Sequence, residues 1–258
     1  MELMTIFESI ILGIIEGVTE FLPISSTGHL ILGGKILGIP ETEFLKSFEI
    51  IIQLGAIAAV LFLFWKSFWQ IENLKKVILG SIPTMIIGFA LYKFVKNNLL
   101  GSSSVVLWAM LIGGIALIIF EFIYEKRSLS QKSSDDITYK QSFFIGVFQS
   151  LAVIPGVSRS AATIIGGLAL GISRAAIAKF SFFLAIPVLL GASLLDISSA
   201  GTESFRGHID TLLVGFVVAF LVAMLAIKFL MRYVQTKNFI PFGIYRVLAA
   251  IVFFLVIF

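Results

Sequence analysis

The sequence predicts an all-α polytopic membrane protein, built as an inverted-topology repeat with about six transmembrane helices and two re-entrant helical hairpins. Three observations lead there. The 258 residues are 59% hydrophobic and only 13% charged, whereas a soluble domain carries about 25% charged residues. Apolar runs at Phe48–Trp65, Val105–Phe120, Leu212–Ile227 and Phe239–Phe258 hold few or no charges and approach the ~17–25 residues that span a bilayer. Two polar, reactive stretches, 16–29 and 149–163, interrupt this background about half a chain apart and echo each other.

Charge and Gly/Pro punctuation divide the chain into ten helical segments. They cover 3–21, 25–37, 44–65, 74–96, 103–124, 139–154, 158–170, 174–197, 211–233 and 239–258. Segments 25–37 and 158–170 follow Pro23 and Pro155 and begin at Ser25 and Ser158, which reads as a helix start capped by a hydroxyl. At 1.5 Å per residue each covers only about 20 Å of a ~30 Å core. Each therefore closes a hairpin that enters and leaves on one side. Broken backbone at that depth must be buried in protein or line a cavity.

Gly13 and Gly146, Glu16 and Gln149, Ser25 and Ser158, and Ser26 and Arg159 all stand 133 apart, while Pro23/Pro155 and Phe48/Phe180 stand 132 apart. The chain thus reads as one integral membrane domain over 1–258, with repeat 1 about 1–125, a cytoplasmic loop about 126–138 and repeat 2 about 139–258. An odd number of spans per half forces the halves into opposite orientations. Twelve Lys and Arg fall on one side, five on the other, and Arg159 and Arg246 lie within the membrane. The positive-inside rule makes the richer side cytoplasmic and places both termini outside.

With no cysteine, disulfides, thiolate catalysis and Cys-ligated metal are excluded. The net charge of +4 orients spans rather than binding nucleic acid. No Lys or Arg precedes Lys35, so residues 1–22 read as mature protein and not as a signal peptide.

Each ion buried at mid-membrane depth costs roughly 2.5–3.5 kcal/mol, so several placed together point to function. Glu16 and Glu20, at i and i+4, share a helix face and can share a proton, bind a divalent cation or pair with Arg159. Gly13 and Gly17 form a small-xxx-small pair open to another backbone. Ser25, Ser26 and Thr27 occupy a first helical turn, where free N–H groups favour an anion. Ser158 and Ser160 repeat this around Arg159, whose planar donors suit phosphate. His29, one turn beyond Ser26, could move a proton or act as nucleophile. The purely structural alternatives are a Glu–Arg packing pair, ordinary serine caps and a histidine bonded to a carbonyl. Glu49 and Gln53 are a second pair at i and i+4, suited to supporting the site or to packing. Arg246 reads as an anchor, Asp196 as interfacial, residues 125–136 as a solvated charge run entered through Glu121 and Glu125, and His208 as a loop residue without a role.

The run Glu16-Gly17-Val18-Thr19-Glu20-Phe21-Leu22-Pro23-Ile24-Ser25-Ser26-Thr27-Gly28-His29 and the run Pro155-Gly156-Val157-Ser158-Arg159-Ser160, with Thr163, closely resemble the motifs of the bacterial undecaprenyl-diphosphate phosphatases of the bacitracin-resistance type. The likeness extends through Phe48–Gly55 and Phe180–Ala192 and covers essentially the whole chain. Ala161 stands where that family usually has Gly. The resemblance implies hydrolysis of undecaprenyl diphosphate to the monophosphate, recycling the lipid carrier for cell-wall synthesis and conferring bacitracin resistance. It also implies a site opening outward from the bacterial cytoplasmic membrane and a divalent cation, Mg²⁺ or Ca²⁺. Carried over, Glu16 and Glu20 would bind metal or act as acid/base groups. Ser26 would be the nucleophile, His29 its proton partner, and Arg159 the holder of the diphosphate, helped by Thr27 and Ser158. Expected partners are a polyprenyl diphosphate and membrane lipid, with no nucleic acid; a homodimer is compatible with the sequence, which does not fix the oligomeric state. The competing readings are a lipid-phosphate transporter or flippase using the same pocket, and a membrane scaffold, which leaves the buried ions unexplained.

Overall fold

Ten α-helices account for the segments expected from the sequence in the computed structural model, which describes residues 4–99, 102–128, 134–200 and 209–258. They are α1 (Ile6–Thr19), α2 (Ser26–Ile36), α3 (Glu43–Phe68), α4 (Ile71–Asn98), α5 (Ser103–Ser128), α6 (Tyr139–Gln149), α7 (Arg159–Ala169), α8 (Arg174–Ala200), α9 (Ile209–Tyr233) and α10 (Ile240–Ile257). A 3₁₀ turn, Ser150–Val153, extends α6. Six helices, α3, α4, α5, α8, α9 and α10, are long and apolar enough to cross a membrane. The four short ones form the hairpins α1–α2 and α6–α7, each broken where Pro23 or Pro155 removes a backbone donor.

The repeat is written into the caps. Thr5 and Glu8 form a reciprocal capping box at the start of α1, and Thr138 and Gln141 form the same box on α6, 133 residues later. One turn on, Ser9 donates to the carbonyl of Thr211 on α9 at 2.7 Å. Its counterpart Ser142 donates to the carbonyl of Lys76 on α4. One further turn on, glycines let the backbones close up. A Cβ on Gly13 would lie 2.9 Å from the Gly215 carbonyl oxygen, and one on Gly146 only 1.9 Å from that of Gly80. Gly17 likewise faces the Ala219 carbonyl, so the expected small-residue seam lies against α9.

The helix pairings exchange when the halves are swapped. α1 packs on α9 as α6 packs on α4; α3 packs on α9 as α8 packs on α4; α3 meets α8 and α5 meets α10. This is the pattern of two halves related by a pseudo-two-fold axis. The largest core cluster lies where α3 and α8 cross, with Ala56, Ala59 and Val60 against Phe182, Phe183 and Leu184. Phe21, from the first hairpin's break, inserts there edge-on to Phe182 at 5.3 Å. Around the outside, Phe62, Trp65, Phe89, Trp108, Leu225 and Leu255 are exposed, a surface that only lipid would cover favourably.

One sequence reading needs correcting. Glu121 is not a loop-leading residue: it is fully buried, takes Arg174 through Nη2 at 2.6 Å and Nε at 3.3 Å, and accepts the Phe239 N–H at 3.0 Å. It ties α5, α8 and α10 together. The charge run at 125–136 lies partly outside the described residues; Glu125 and residues 134–136 are exposed, as a solvated run requires, with Glu125 bonded to Asn238 at 2.6 Å and Ser134 joined by backbone bonds to Gly171 and Ser173. His208 and the Asp196 side chain lie outside the described residues.

Gly146→Ala forces its methyl group into the Gly80 carbonyl. It is expected to destabilise the protein by about 1–3 kcal/mol, seen as a lower thermal midpoint in detergent, whereas Gly34, with open space around its Cβ position, tolerates the same change.

Candidate active site

Both hairpins turn on a serine in an uncommon backbone conformation. Ser25 has φ 74° and Ser158 φ 67°, the only non-glycine residues with positive φ among those described. Such a conformation costs of order 1–3 kcal/mol and persists only where its surroundings enforce it. The expected hydroxyl caps are only half realised. Ser158 Oγ accepts the Ala161 N–H at 3.3 Å, but Ser25 makes no side-chain cap and instead offers its carbonyl to His29 Nδ1 at 2.7 Å. The strained turns deliver the next residues, Ser26 at the start of α2 and Arg159 at the start of α7, to one place.

That place is Glu20, at the C-terminal end of α1. Its Oε2 accepts the Ser26 hydroxyl at 2.6 Å, and its Oε1 faces Arg159 Nη2 at 3.4 Å. The Glu20 and Arg159 side chains are 6% and 9% exposed, so this pair is shielded from water. Arg159 Nη1 is held by the Ser181 carbonyl at 2.8 Å, and Thr163 steadies Ser181 through a 2.6 Å hydroxyl bond. The guanidinium lies over the Phe21 ring, 6.0 Å from its centroid, while its Nε is buried without a partner. Ser160 Oγ donates across the repeats to the Leu22 carbonyl at 2.9 Å and lies 3.2 Å from Ser158 Oγ.

Glu16, one turn before Glu20, is fully buried, and neither of its carboxylate oxygens has a hydrogen-bond partner. Glu49, on α3, is close enough for its charge to act on Glu16. Gln53 is half-buried and forms no hydrogen bond to the motif side chains among the described residues. Thr27 is exposed at the first turn of α2. Gln149, the counterpart of Glu16, is fully buried and donates to Thr84 at 2.9 Å.

His29 is placed differently from expectation. The i, i+3 spacing suggested a Ser26–His29 pair, but both ring nitrogens are committed elsewhere: Nδ1 to the Ser25 carbonyl and Nε2 to the Tyr245 hydroxyl at 2.8 Å. A carbonyl only accepts, so Nδ1 carries the proton and, in the neutral ring, Nε2 accepts from Tyr245. The basic atom within reach of Ser26 is thus a Glu20 oxygen. Tyr245, which sequence reasoning did not single out, stacks on the imidazole with ring centroids 5.5 Å apart. Arg246 is fully buried.

Two exchangeable halves that meet at a carboxylate–hydroxyl–guanidinium centre define a polytopic membrane protein whose site needs both repeats. The chain belongs to the bacitracin resistance protein BacA family, whose model matches residues 9–252. It is 47% identical over 252 residues to an undecaprenyl-diphosphatase of Sulfurihydrogenibium sp., covering 98% of this chain and 99% of that one. It is 49% identical to an undecaprenyl-diphosphatase of Persephonella marina, with 98% and 99% covered. An undecaprenyl-diphosphatase of Aquifex aeolicus is 44% identical, with 97% and 98% covered.

The two carboxylates are expected to differ in stability tests. Glu20→Ala leaves Arg159 buried without its counter-ion and should destabilise by about 3–5 kcal/mol. Glu16→Gln replaces a fully buried carboxyl that holds no cation in the metal-free protein and should raise the thermal midpoint of that form. A lowered midpoint for Glu16→Gln would mean that its carboxylate holds the fold together.

Proposed function

We propose that this chain is an undecaprenyl-diphosphate phosphatase, releasing the terminal phosphate and leaving undecaprenyl phosphate. The single observation that carries the mechanism is the 2.6 Å bond from the Ser26 hydroxyl to Glu20, with Arg159 on the other carboxylate oxygen. Full-length identity to proteins named for this activity supports the substrate. A carrier needs binding groups but no activated hydroxyl, so the transporter reading is not favoured.

In this mechanism Ser26 Oγ attacks the terminal phosphorus in line, and its proton passes to Glu20. The bond to the bridging oxygen breaks, and undecaprenyl phosphate leaves with the lipid tail still in the bilayer. Glu20 hands that proton on to the departing phosphate. Water then attacks the phosphoserine, Glu20 takes the water's proton and returns it to Ser26 Oγ as the phosphorus–oxygen bond breaks, and inorganic phosphate is released. Phosphoryl transfer depends mainly on positioning and charge neutralisation. Arg159 supplies a fixed guanidinium whose Nε–H has no partner, while Thr27, Ser158 and the α2 and α7 N-termini supply further donors. Ser25 and Ser160 shape the two turns, and His29 holds the first.

A divalent cation fits the acidic side of the centre. Glu16 presents two buried oxygens without partners, and Glu20 lies one turn away. Mg²⁺ is commonly held by one or two carboxylates and completed by substrate phosphates. When bound there, Mg²⁺ or Ca²⁺ would neutralise charge on the diphosphate oxygens.

The membrane is proposed to be the bacterial cytoplasmic membrane. The twelve-to-five split of basic residues supports both termini and the site mouth facing outward. A cytoplasm-active reporter fused to the C-terminus is therefore expected to be silent; an active one would reverse this orientation.

Purified protein in detergent should release phosphate from a polyprenyl diphosphate with added Mg²⁺ or Ca²⁺. Glu20→Gln should lower kcat by about 10²–10⁴-fold, the usual worth of a positioned acid/base group. Ser26→Ala should abolish release, and wild-type release by that variant would sink the serine nucleophile. No release by the wild type with any divalent metal would sink the phosphatase reading itself.

A further inference from the structure

α10 carries two adjacent side chains to which the mechanism gives no part. Arg246 is the largest fully buried side chain, yet its guanidinium reaches only main-chain carbonyls. Nη2 donates to Gly156 at 3.1 Å and Ala109 at 3.2 Å, Nη1 to Val157 at 3.2 Å and Nε to Met110 at 3.3 Å. Gly156 and Val157 are the two residues before strained Ser158. Gly156 itself has φ 93° and presses so closely on α5 that a Cβ would lie 2.4 Å from the Val106 oxygen. On the other side, Tyr245 holds His29 Nε2, and His29 Nδ1 holds the carbonyl of strained Ser25. Two neighbours on one helix thus reach both uncommon serines, each directly before a central residue, Ser26 or Arg159.

Stability alone does not account for this. Exchanging a buried charge for a well-packed apolar group is often neutral or stabilising. The fold also makes room for the guanidinium: a Cβ on Gly113 of α5 would sit 2.4 Å from Nη2 and 2.9 Å from Cζ.

We propose that Tyr245 and Arg246 are positioning residues, a clasp on α10 that fixes both motif turns. They set the distance between the Ser26 hydroxyl and the Arg159 guanidinium without touching substrate. The clasp rests on the phosphatase reading for its kinetic consequences but not for its structural ones. A misplacement of about 1 Å at a reacting centre can cost on the order of 100-fold in rate.

The test uses full-length protein in detergent and compares Tyr245→Phe, Arg246→Lys, Gly113→Ala, His29→Gln and the double variant Tyr245→Phe/His29→Gln. Gly113→Ala displaces the flexible tip of Arg246 while leaving both motifs and every charge intact. Expected is a kcat lowered about tenfold in Tyr245→Phe and up to about 100-fold in Arg246→Lys and Gly113→Ala, with KM nearly unchanged. Tyr245→Phe should add nothing on the His29→Gln background, since both act through one ring. Amide hydrogen exchange should quicken at 22–29 in Tyr245→Phe, and at 155–161 in Arg246→Lys and Gly113→Ala. A raised KM at constant kcat would make these residues substrate ligands and overturn the proposal. So would additive losses in the double variant. Unchanged exchange in both turns overturns it whether or not substrate is hydrolysed, whereas a wild type that releases no phosphate overturns only the phosphatase reading.

Discussion

A single carboxylate, Glu20, binds the hydroxyl of one repeat and the guanidinium of the other, and the rest of the structure is arranged around that bridge. In a low-dielectric interior an unpaired guanidinium is costly, and a serine hydroxyl without a basic neighbour is a poor nucleophile. Glu20 meets both needs with two oxygens of one group. The arrangement holds only if α1 and α2 of one hairpin and α7 of the other converge to within hydrogen-bond distance. The glycine seam on α9, the paired capping boxes and the carbonyl contacts of Ser9 and Ser142 fix the hairpin entry helices. The strained serines then turn the chain inward.

That strain is shared between halves and enforced from outside each turn. A positive φ at serine lacks the steric freedom of glycine, so local sequence does not favour it. What holds Ser25 is the imidazole on its carbonyl. Ser158 is held by its own cap, by the Arg246 bonds to the two preceding carbonyls and by Ser160 anchored on Leu22. The last contact crosses between repeats, so neither turn is set wholly by its own hairpin.

The helices were legible because their signals are local and repeated along the chain: long apolar runs, prolines at both breaks, and Gly13 and Gly17 spaced for close approach. The membership of the site was legible as well, because ions in apolar sequence stand out. Its wiring was not. Spacing shows that Ser26 and His29 share a helix face, but not that the turn before α2 carries the hydroxyl back to Glu20 and leaves the imidazole facing α10. Tyr245 gave no signal, being one aromatic residue among many in an apolar span. Glu121 reads from sequence as an entry to the charged loop because nothing local links it to Arg174, 53 positions on. The sign of φ at Ser25 and Ser158 was equally hidden, since residue type would have suggested glycine.

Divergence between the repeats follows from the geometry of a two-fold relation. A pseudo-two-fold axis brings equivalent positions together, and here the equivalents are Ser26 and Arg159. Identical halves would set serine against serine, with no cation for a diphosphate, or arginine against arginine, with two buried like charges in repulsion. Only unlike residues place a hydroxyl opposite a guanidinium. The same reasoning applies to Glu16 and Gln149. A second acidic pair would add desolvation cost, and the second copy is instead neutral and bonded to Thr84. The two halves share a scaffold, and the chemistry requires that they differ at Ser26 and Arg159 and at Glu16 and Gln149.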